Sequence, residues 1–148
     1  MINLQPGQRK RLAEIEYYDL DVAESYKTAT VDEVAKICNG CGTAGWKEKL
    51  VPDTVWGLCI TPACQPHDWD YAAGRTKRCK VRADKRFLMN MRKIVITAGG
   101  FLMFPRLVRV QGYYLAVKFR GNKAFWEGKV PNETHTRCGG CNSDSRVL

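Results

Sequence analysis

The octet at residues 64–71 combines side chains that can perform acid–base chemistry and bind a metal ion. It reads CQPHDWDY and contains His67, one of only two histidines in a chain of 148 residues, followed directly by Asp68. If the octet is helical, Cys64, His67 and Tyr71 share one face, and Asp68 lies about 100° further round the helix. Neighbouring faces then carry a candidate general base and a candidate metal ligand.

A second acidic residue, Asp84, lies in a stripe of apolar residues. Hydrophobic residues recur every three or four positions between residues 78 and 98, which predicts an amphipathic helix. A buried carboxylate needs hydrogen-bond donors, and an imidazole N–H is a suitable one. We therefore predict a His67–Asp84 dyad in which the carboxylate selects the imidazole tautomer and the other ring nitrogen accepts a proton from water.

The glycine-rich segment GCGTA at residues 40–44 precedes Asp68 in the chain. Glycine tolerates the backbone angles that turn carbonyl groups inward. Carbonyl and carboxylate oxygens are hard ligands that suit Ca²⁺ better than zinc. Such an ion would polarise an ester carbonyl and stabilise the oxyanion formed when water attacks.

The surrounding sequence predicts a mainly α-helical protein. A long loop is expected at residues 38–62, because this segment is rich in glycine and proline and has no sustained period. β-Branched residues leave a β-strand as an alternative to a helix in the first half of the segment 101–119. The predicted helices are a short amphipathic one within 9–26, a turn at 31–37, a helix at 62–73 that begins after Thr61 and ends at Gly74, one at about 78–98 that ends at Gly99, and one from near Pro105 to 119. The apolar stripe of the fourth helix is expected to comprise Val81, Leu88, Met91 and Val95, with Phe87 alongside. That of the last is expected to comprise Leu107, Val110, Tyr114 and Val117, with Val108 and Leu115 left open.

The octet resembles the active-site helix signature of the secreted phospholipase A2 superfamily: Cys, two residues, His-Asp, two residues, Tyr. Cys41 and Gly42, followed two positions later by a small residue, resemble the calcium loop of that family. The segments ADKRFL and YYLAVKF are most similar to its bacterial and phage-encoded branch. The resemblance covers residues 38–120, and it implies two long antiparallel helices, a preceding calcium loop and a third, C-terminal helix.

The resemblance also implies a reaction, the calcium-dependent hydrolysis of the sn-2 ester of a glycerophospholipid. His67 would be the general base and Asp84 its orienting carboxylate. The calcium ligands would be the Asp68 carboxylate and the backbone carbonyls of Gly40, Gly42 and Ala44. Tyr71, and Tyr113 or Tyr114, would brace Asp84 through their hydroxyl groups. Cys41 and Cys64 would form a disulfide.

The chain departs from the family pattern in two places. The segment between Cys41 and Cys64 is longer than a compact calcium loop, and Asp53 within it could add a calcium oxygen or could initiate a turn. No cysteine lies between Ala83 and Cys138, so the usual disulfide between the later helices is missing from the pattern.

Two CxxC pairs suggest a second class of function. Cys38 with Cys41 and Cys138 with Cys141 could form a tetrahedral zinc site, with disulfides or free thiols as the alternatives, and Cys59 and Cys79 receive no role. The alternative function is a non-enzymatic, zinc-stabilised basic module that binds a partner or belongs to a virion.

Charge indicates the kind of partner. The net charge of +9 favours anionic surfaces, and basic residues with tryptophan suit an anionic phospholipid membrane. The sequence has no recognised nucleic-acid motif.

The sequence also has no signal peptide and no apolar run of about 18 residues. We therefore expect a soluble protein of the host cytoplasm or a virion, or one released on lysis. We divide it into an N-terminal helical extension (1–37), a catalytic domain (38–128) and a C-terminal tail with CxxC (129–148).

Overall fold

The computed structural model describes residues 3–38, 51–127 and 129. Within these ranges the protein is mainly helical, as the sequence predicts, and a single two-stranded sheet accompanies the helices. The elements are α1 (Pro6–Tyr18), α2 (Glu24–Thr28), α3 (Val31–Ile37), β1 (Thr54–Val55), β2 (Leu58–Cys59), α4 (Thr61–Ala73), α5 (Lys77–Ala98), α6 (Met103–Arg120) and α7 (Asn122–Trp126).

The ends of α4 and α5 follow local sequence signals. Pro62 lies in the first turn of α4, where its missing N–H removes no helical hydrogen bond. The Thr76 hydroxyl caps α5 by accepting the N–H of Cys79 at 3.1 Å. Gly99, with φ of 59°, ends α5 in a conformation that disfavours side chains. These boundaries lie within one or two residues of the predicted ones.

Helices α4, α5 and α6 pack side by side and alternate in direction. Tyr71, late in α4, contacts Lys80, early in α5, whereas His67 stacks on Phe87 further along α5. The order of contacts is therefore reversed between the two helices, as in an antiparallel pair. Helix α6 returns along α5 after a short turn and places its Val117 carbonyl beside Lys80.

The hydrophobic core lies between these three helices and the N-terminal segment. Its fully buried side chains include Ile60, Met91, Ile94, Val95 and Val110. Helices α2 and α3 add Tyr26 and Val34, while the link between α1 and α2 adds Leu20 and Val22. A smaller cluster joins Phe125 of α7 to Tyr71, Cys79 and Ala83. The N-terminal segment is thus part of the same core as the long helices.

Two predictions about local structure are wrong. The predicted helix within 9–26 is two helices, because Asp19 adopts a left-handed conformation that ends α1. The predicted loop contains the hairpin of β1 and β2, whose turn residues Trp56 and Gly57 both have positive φ. The third long helix, expected from near Pro105, is confirmed as α6, which begins at Met103, and the strand alternative for its first half is excluded.

The predicted stripes of the two long helices are buried at Met91, Val95, Val110 and Val117, but they do not hold at every position. Val81 on α5 is exposed, and so are Val108 and Leu115 on α6. Helix α5 instead turns Lys80 and Ala83 inward. Among the described residues, no helix combines the length and the apolar character that crossing a membrane requires.

Candidate active site

One face of α4 carries the predicted catalytic residues. Cys64, His67 and Tyr71 lie one turn apart and are all buried against α5. Asp84 projects from the facing side of α5 and is only 2% exposed. The helical spacing inferred from the octet therefore brings a histidine and a tyrosine to the same carboxylate.

His67 and Asp84 form a direct hydrogen bond. His67 Nε2 lies 2.9 Å from Asp84 Oδ1, and both side chains are buried. The imidazole stacks on Phe87 with ring centroids 4.5 Å apart, which fixes the plane of the ring. No described residue hydrogen-bonds to His67 Nδ1. A neutral imidazole with its proton on Nε2, directed at the carboxylate, presents Nδ1 as a proton acceptor.

Asp84 accepts two further hydrogen bonds. The Tyr71 hydroxyl donates to Oδ1 at 2.6 Å, and the Lys80 ammonium donates to Oδ2 at 2.7 Å. Burial raises the pKa of Asp84, but the hydrogen bonds and charge from His67, together with those from Lys80 and Tyr71, outweigh it and hold the pKa below its ordinary value. The carboxylate is therefore ionised at neutral pH and is fixed in position on both oxygens.

Lys80 connects the dyad to α6. Its ammonium is buried and also donates to the carbonyl oxygens of Val117 at 3.1 Å and Lys118 at 3.3 Å. These carbonyls belong to the last turn of α6, where the helix dipole favours a cation. The role of Lys80 was not predicted from the sequence. The available signal was its position four residues before Asp84 on one helix, a spacing that places the two side chains next to each other.

Among the three tyrosines predicted to brace Asp84, the structure brings Tyr71 to it. Tyr113 instead donates its hydroxyl to the Thr54 carbonyl oxygen at 3.3 Å, and Tyr114 is half-buried with the Lys118 ammonium above its ring. The position expected for a second tyrosine hydroxyl is taken by the Lys80 ammonium, which donates to Asp84 Oδ2. Gly121 makes room for the Tyr71 hydroxyl, since a Cβ atom there would lie 2.7 Å from it.

A second buried ion pair lies on the same two helices. Arg86 Nη1 lies 3.1 and 2.9 Å from the two carboxylate oxygens of Asp70, and Arg86 Nε lies 3.2 Å from Asp21 Oδ2. Burial raises the pKa of Asp70 despite the Arg86 charge. This network joins α4, α5 and the link after α1, and the sequence analysis did not predict it, because its members are 16 and 65 residues apart.

The predicted calcium site is only partly within the described residues. Asp68 is half-buried on the neighbouring face of α4, next to His67, whereas Gly40, Gly42 and Ala44 lie outside the described ranges. Within those ranges, no group of three or more histidine, cysteine or acidic residues could hold a metal ion. A calcium ion held by Asp68 and loop carbonyls therefore stays a prediction.

The cysteines are in at least two chemical states. Cys64 and Cys79 are disulfide-bonded. The predicted partner of Cys64, Cys41, lies outside the described ranges, and the bond at Cys79 was not predicted. Cys38 is a free, buried thiol 3.1 Å from the Gln65 carbonyl oxygen, and burial together with the Asp68 charge raises its pKa to about 12.

The other cysteines of the zinc hypothesis, Cys41, Cys138 and Cys141, lie outside the described ranges, so that hypothesis is untested. Of the four cysteines in the zinc hypothesis, Cys38 lies within the described ranges, and its thiol is free. Comparison of the chain with protein-family models, curated proteins and solved structures finds no match.

Proposed function

We propose that this protein is a calcium-dependent, phospholipase A2-like hydrolase that cleaves the sn-2 ester of glycerophospholipids. The observation that supports the proposal is the buried hydrogen bond between His67 Nε2 and Asp84, with no described residue bonded to Nδ1. Asp84 is held by three donors at 2.6–2.9 Å. This orientation supports a role for His67 Nδ1 in accepting a proton.

In the proposed reaction His67 Nδ1 takes a proton from water, and the water oxygen attacks the carbonyl carbon of the ester. The positive charge that forms on the imidazole lies against the ionised Asp84, which stabilises it. The imidazolium then returns the proton to the leaving alkoxide, so the products are a lysophospholipid and a fatty acid. Tyr71 and Lys80 keep Asp84 in place during both proton transfers.

Asp68 and the carbonyl groups of Gly40, Gly42 and Ala44 would hold the calcium ion. Asp68 fits this role because it is a hard oxygen donor on the face next to His67. A calcium ion bound there supplies positive charge for the oxyanion of the ester.

The test is release of fatty acid from mixed phosphatidylglycerol and phosphatidylethanolamine vesicles, with calcium or with a chelator. His67→Gln keeps an amide donor near the position of Nε2 but has no basic nitrogen, so it is expected to remain folded and to release nothing. His135→Ala, which removes the other histidine, is the matched control and is expected to keep activity. Release that survives both the chelator and His67→Gln contradicts the proposal.

A further inference from the structure

Helix α6 has an exposed apolar stripe on the side opposite its buried face. Val110, Tyr113 and Val117 point into the core. The stripe consists of Phe104, Val108, Leu115 and Phe119, which are 73, 75, 41 and 70% exposed. At about 100° per residue these four positions fall within an arc of about 60°, and they span about 22 Å of helix.

The turn before α6 adds a further exposed apolar side chain. Phe101 is 91% exposed and follows Gly99 and Gly100, whose positive φ values form the sharp turn out of α5. Large side chains at five positions expose an apolar surface on the order of 500 Å². A contiguous apolar patch of this size is often functional, and one rimmed by polar residues marks an interaction site.

The charged side chains of α6 itself are all positive. Arg109, Lys118 and Arg120 are exposed and flank the stripe, and α6 contains no acidic residue. A second copy of this chain would bring the same cationic flanks to the contact, in addition to its net charge of +9. An apolar stripe with cationic edges is complementary to an anionic lipid surface, in which acyl chains lie beneath negative headgroups.

We infer that α6 lies in the plane of an anionic phospholipid surface, with Phe101 and the outer stripe inserted at the headgroup boundary. This inference rests on the proposed function only in identifying phospholipid as the physiological partner. The inner side of the same helix holds Lys80, which binds Asp84. The lipid-binding helix is thereby fixed directly to the catalytic dyad.

The experiment measures vesicle binding separately from hydrolysis. All variants carry His67→Gln, calcium is chelated, and sedimentation with phosphatidylglycerol vesicles is compared with sedimentation with phosphatidylcholine vesicles. We expect Phe104→Ser/Val108→Ser to weaken binding to anionic vesicles at least tenfold. Tyr17→Ser/Val81→Ser, which replaces an exposed aromatic residue and an exposed valine elsewhere, is expected to bind as the parent does.

Arg109→Gln and Lys118→Gln are expected to weaken binding about fivefold each, because a basic residue near an anionic surface contributes about 1 kcal/mol. Equal binding by the stripe variant and the parent overturns the inference, as does equal weakening by both double variants. A stripe-dependent dimer in sedimentation velocity, or stripe-dependent binding of a single-stranded oligonucleotide, without vesicle binding, also overturns it.

The two proposals fail in different ways. Normal vesicle binding without any hydrolysis by the wild-type protein counts against the proposed reaction and leaves the binding surface standing. Hydrolysis of a dispersed short-chain phospholipid without binding to vesicles counts against the surface and leaves the dyad standing.

Discussion

Replacing Lys80 by methionine tests whether the buried ammonium stabilises the charge of Asp84. Methionine has a similar length and is apolar, so the packing of α5 against α6 changes little. The substitution removes the ammonium 2.7 Å from Asp84 Oδ2 and its two bonds to carbonyl oxygens of α6. The Val117 carbonyl still accepts the N–H of Gly121 at 2.8 Å, so the main loss falls on the carboxylate.

The expected cost follows from the burial of both partners. Lys80 is 6% exposed and Asp84 is 2% exposed, and removing one partner of a buried ion pair costs about 3–5 kcal/mol. Tyr71 and His67 still donate to Oδ1, which places the expected loss near the lower value, about 3 kcal/mol. A loss of that size lowers the melting temperature of a protein of this length by about 6–12 °C.

The dependence on pH separates lost charge compensation from damaged packing. In the wild-type protein the pKa of Asp84 lies below its ordinary value of 3.8, so its contribution to stability is present above about pH 4 and is lost as the pH falls through the lowered pKa. Without Lys80 the pKa of Asp84 rises, and acid destabilises the variant less. The difference between the two proteins should therefore be largest at neutral pH and smaller at pH 3.

The assay is urea unfolding at pH 7 and pH 3 under oxidising conditions, with Lys85→Met as control. Lys85 is exposed on the same helix, and its replacement should change the free energy of unfolding by less than about 0.5 kcal/mol. Equal stability of Lys80→Met and wild type at pH 7 would refute the reasoning. A large loss that is the same at both pH values would assign the effect to packing instead of charge.

Three further outcomes are expected. Tyr71→Phe removes one hydrogen bond to the ionised Asp84 and should lower the free energy of unfolding by about 1.5–3 kcal/mol in urea; an unchanged midpoint would show that the bond contributes nothing. Gly121→Ala should lower stability by about 1–3 kcal/mol, because the new Cβ atom crowds the Val117 carbonyl oxygen and the Tyr71 hydroxyl; a melting temperature equal to wild type would contradict those close approaches. At pH 8 iodoacetamide should alkylate the exposed Cys59 at least about 100-fold faster than the buried Cys38, whose pKa is raised to about 12; comparable rates in peptide mapping would show that Cys38 is accessible in solution.

Much of the helical structure could be predicted, because its signals are local. The three-and-four spacing of apolar residues indicates α5, and Gly99 ends it. Pro62 and Gly74 lie at the two ends of α4. Helix formation and capping depend on neighbours within about four residues, which a sequence displays directly. The division between α1 and α2 was missed, because Asp19 adopts a left-handed conformation without a glycine to signal it.

The pairing of His67 with Asp84 could also be predicted, since a carboxylate in an apolar stripe requires a partner. The identity of its other donors could not. Lys80 reaches Asp84 because α6 covers it and supplies carbonyl oxygens for its remaining protons. The same basic residue on a solvated helix would point into water.

The sequence by itself determined the three long helices, which residues share a face of α4, and most of the buried stripes of α5 and α6. Only the tertiary structure decided that Val81, Val108 and Leu115 lie outside those stripes and that Phe104, Val108, Leu115 and Phe119 form an exposed one. Periodicity gives the spacing of a stripe, but the neighbouring helices select the side that they cover. Burial also decides the charge state of Asp84, because a pKa depends on the summed effects of solvent and of groups brought together across three helices.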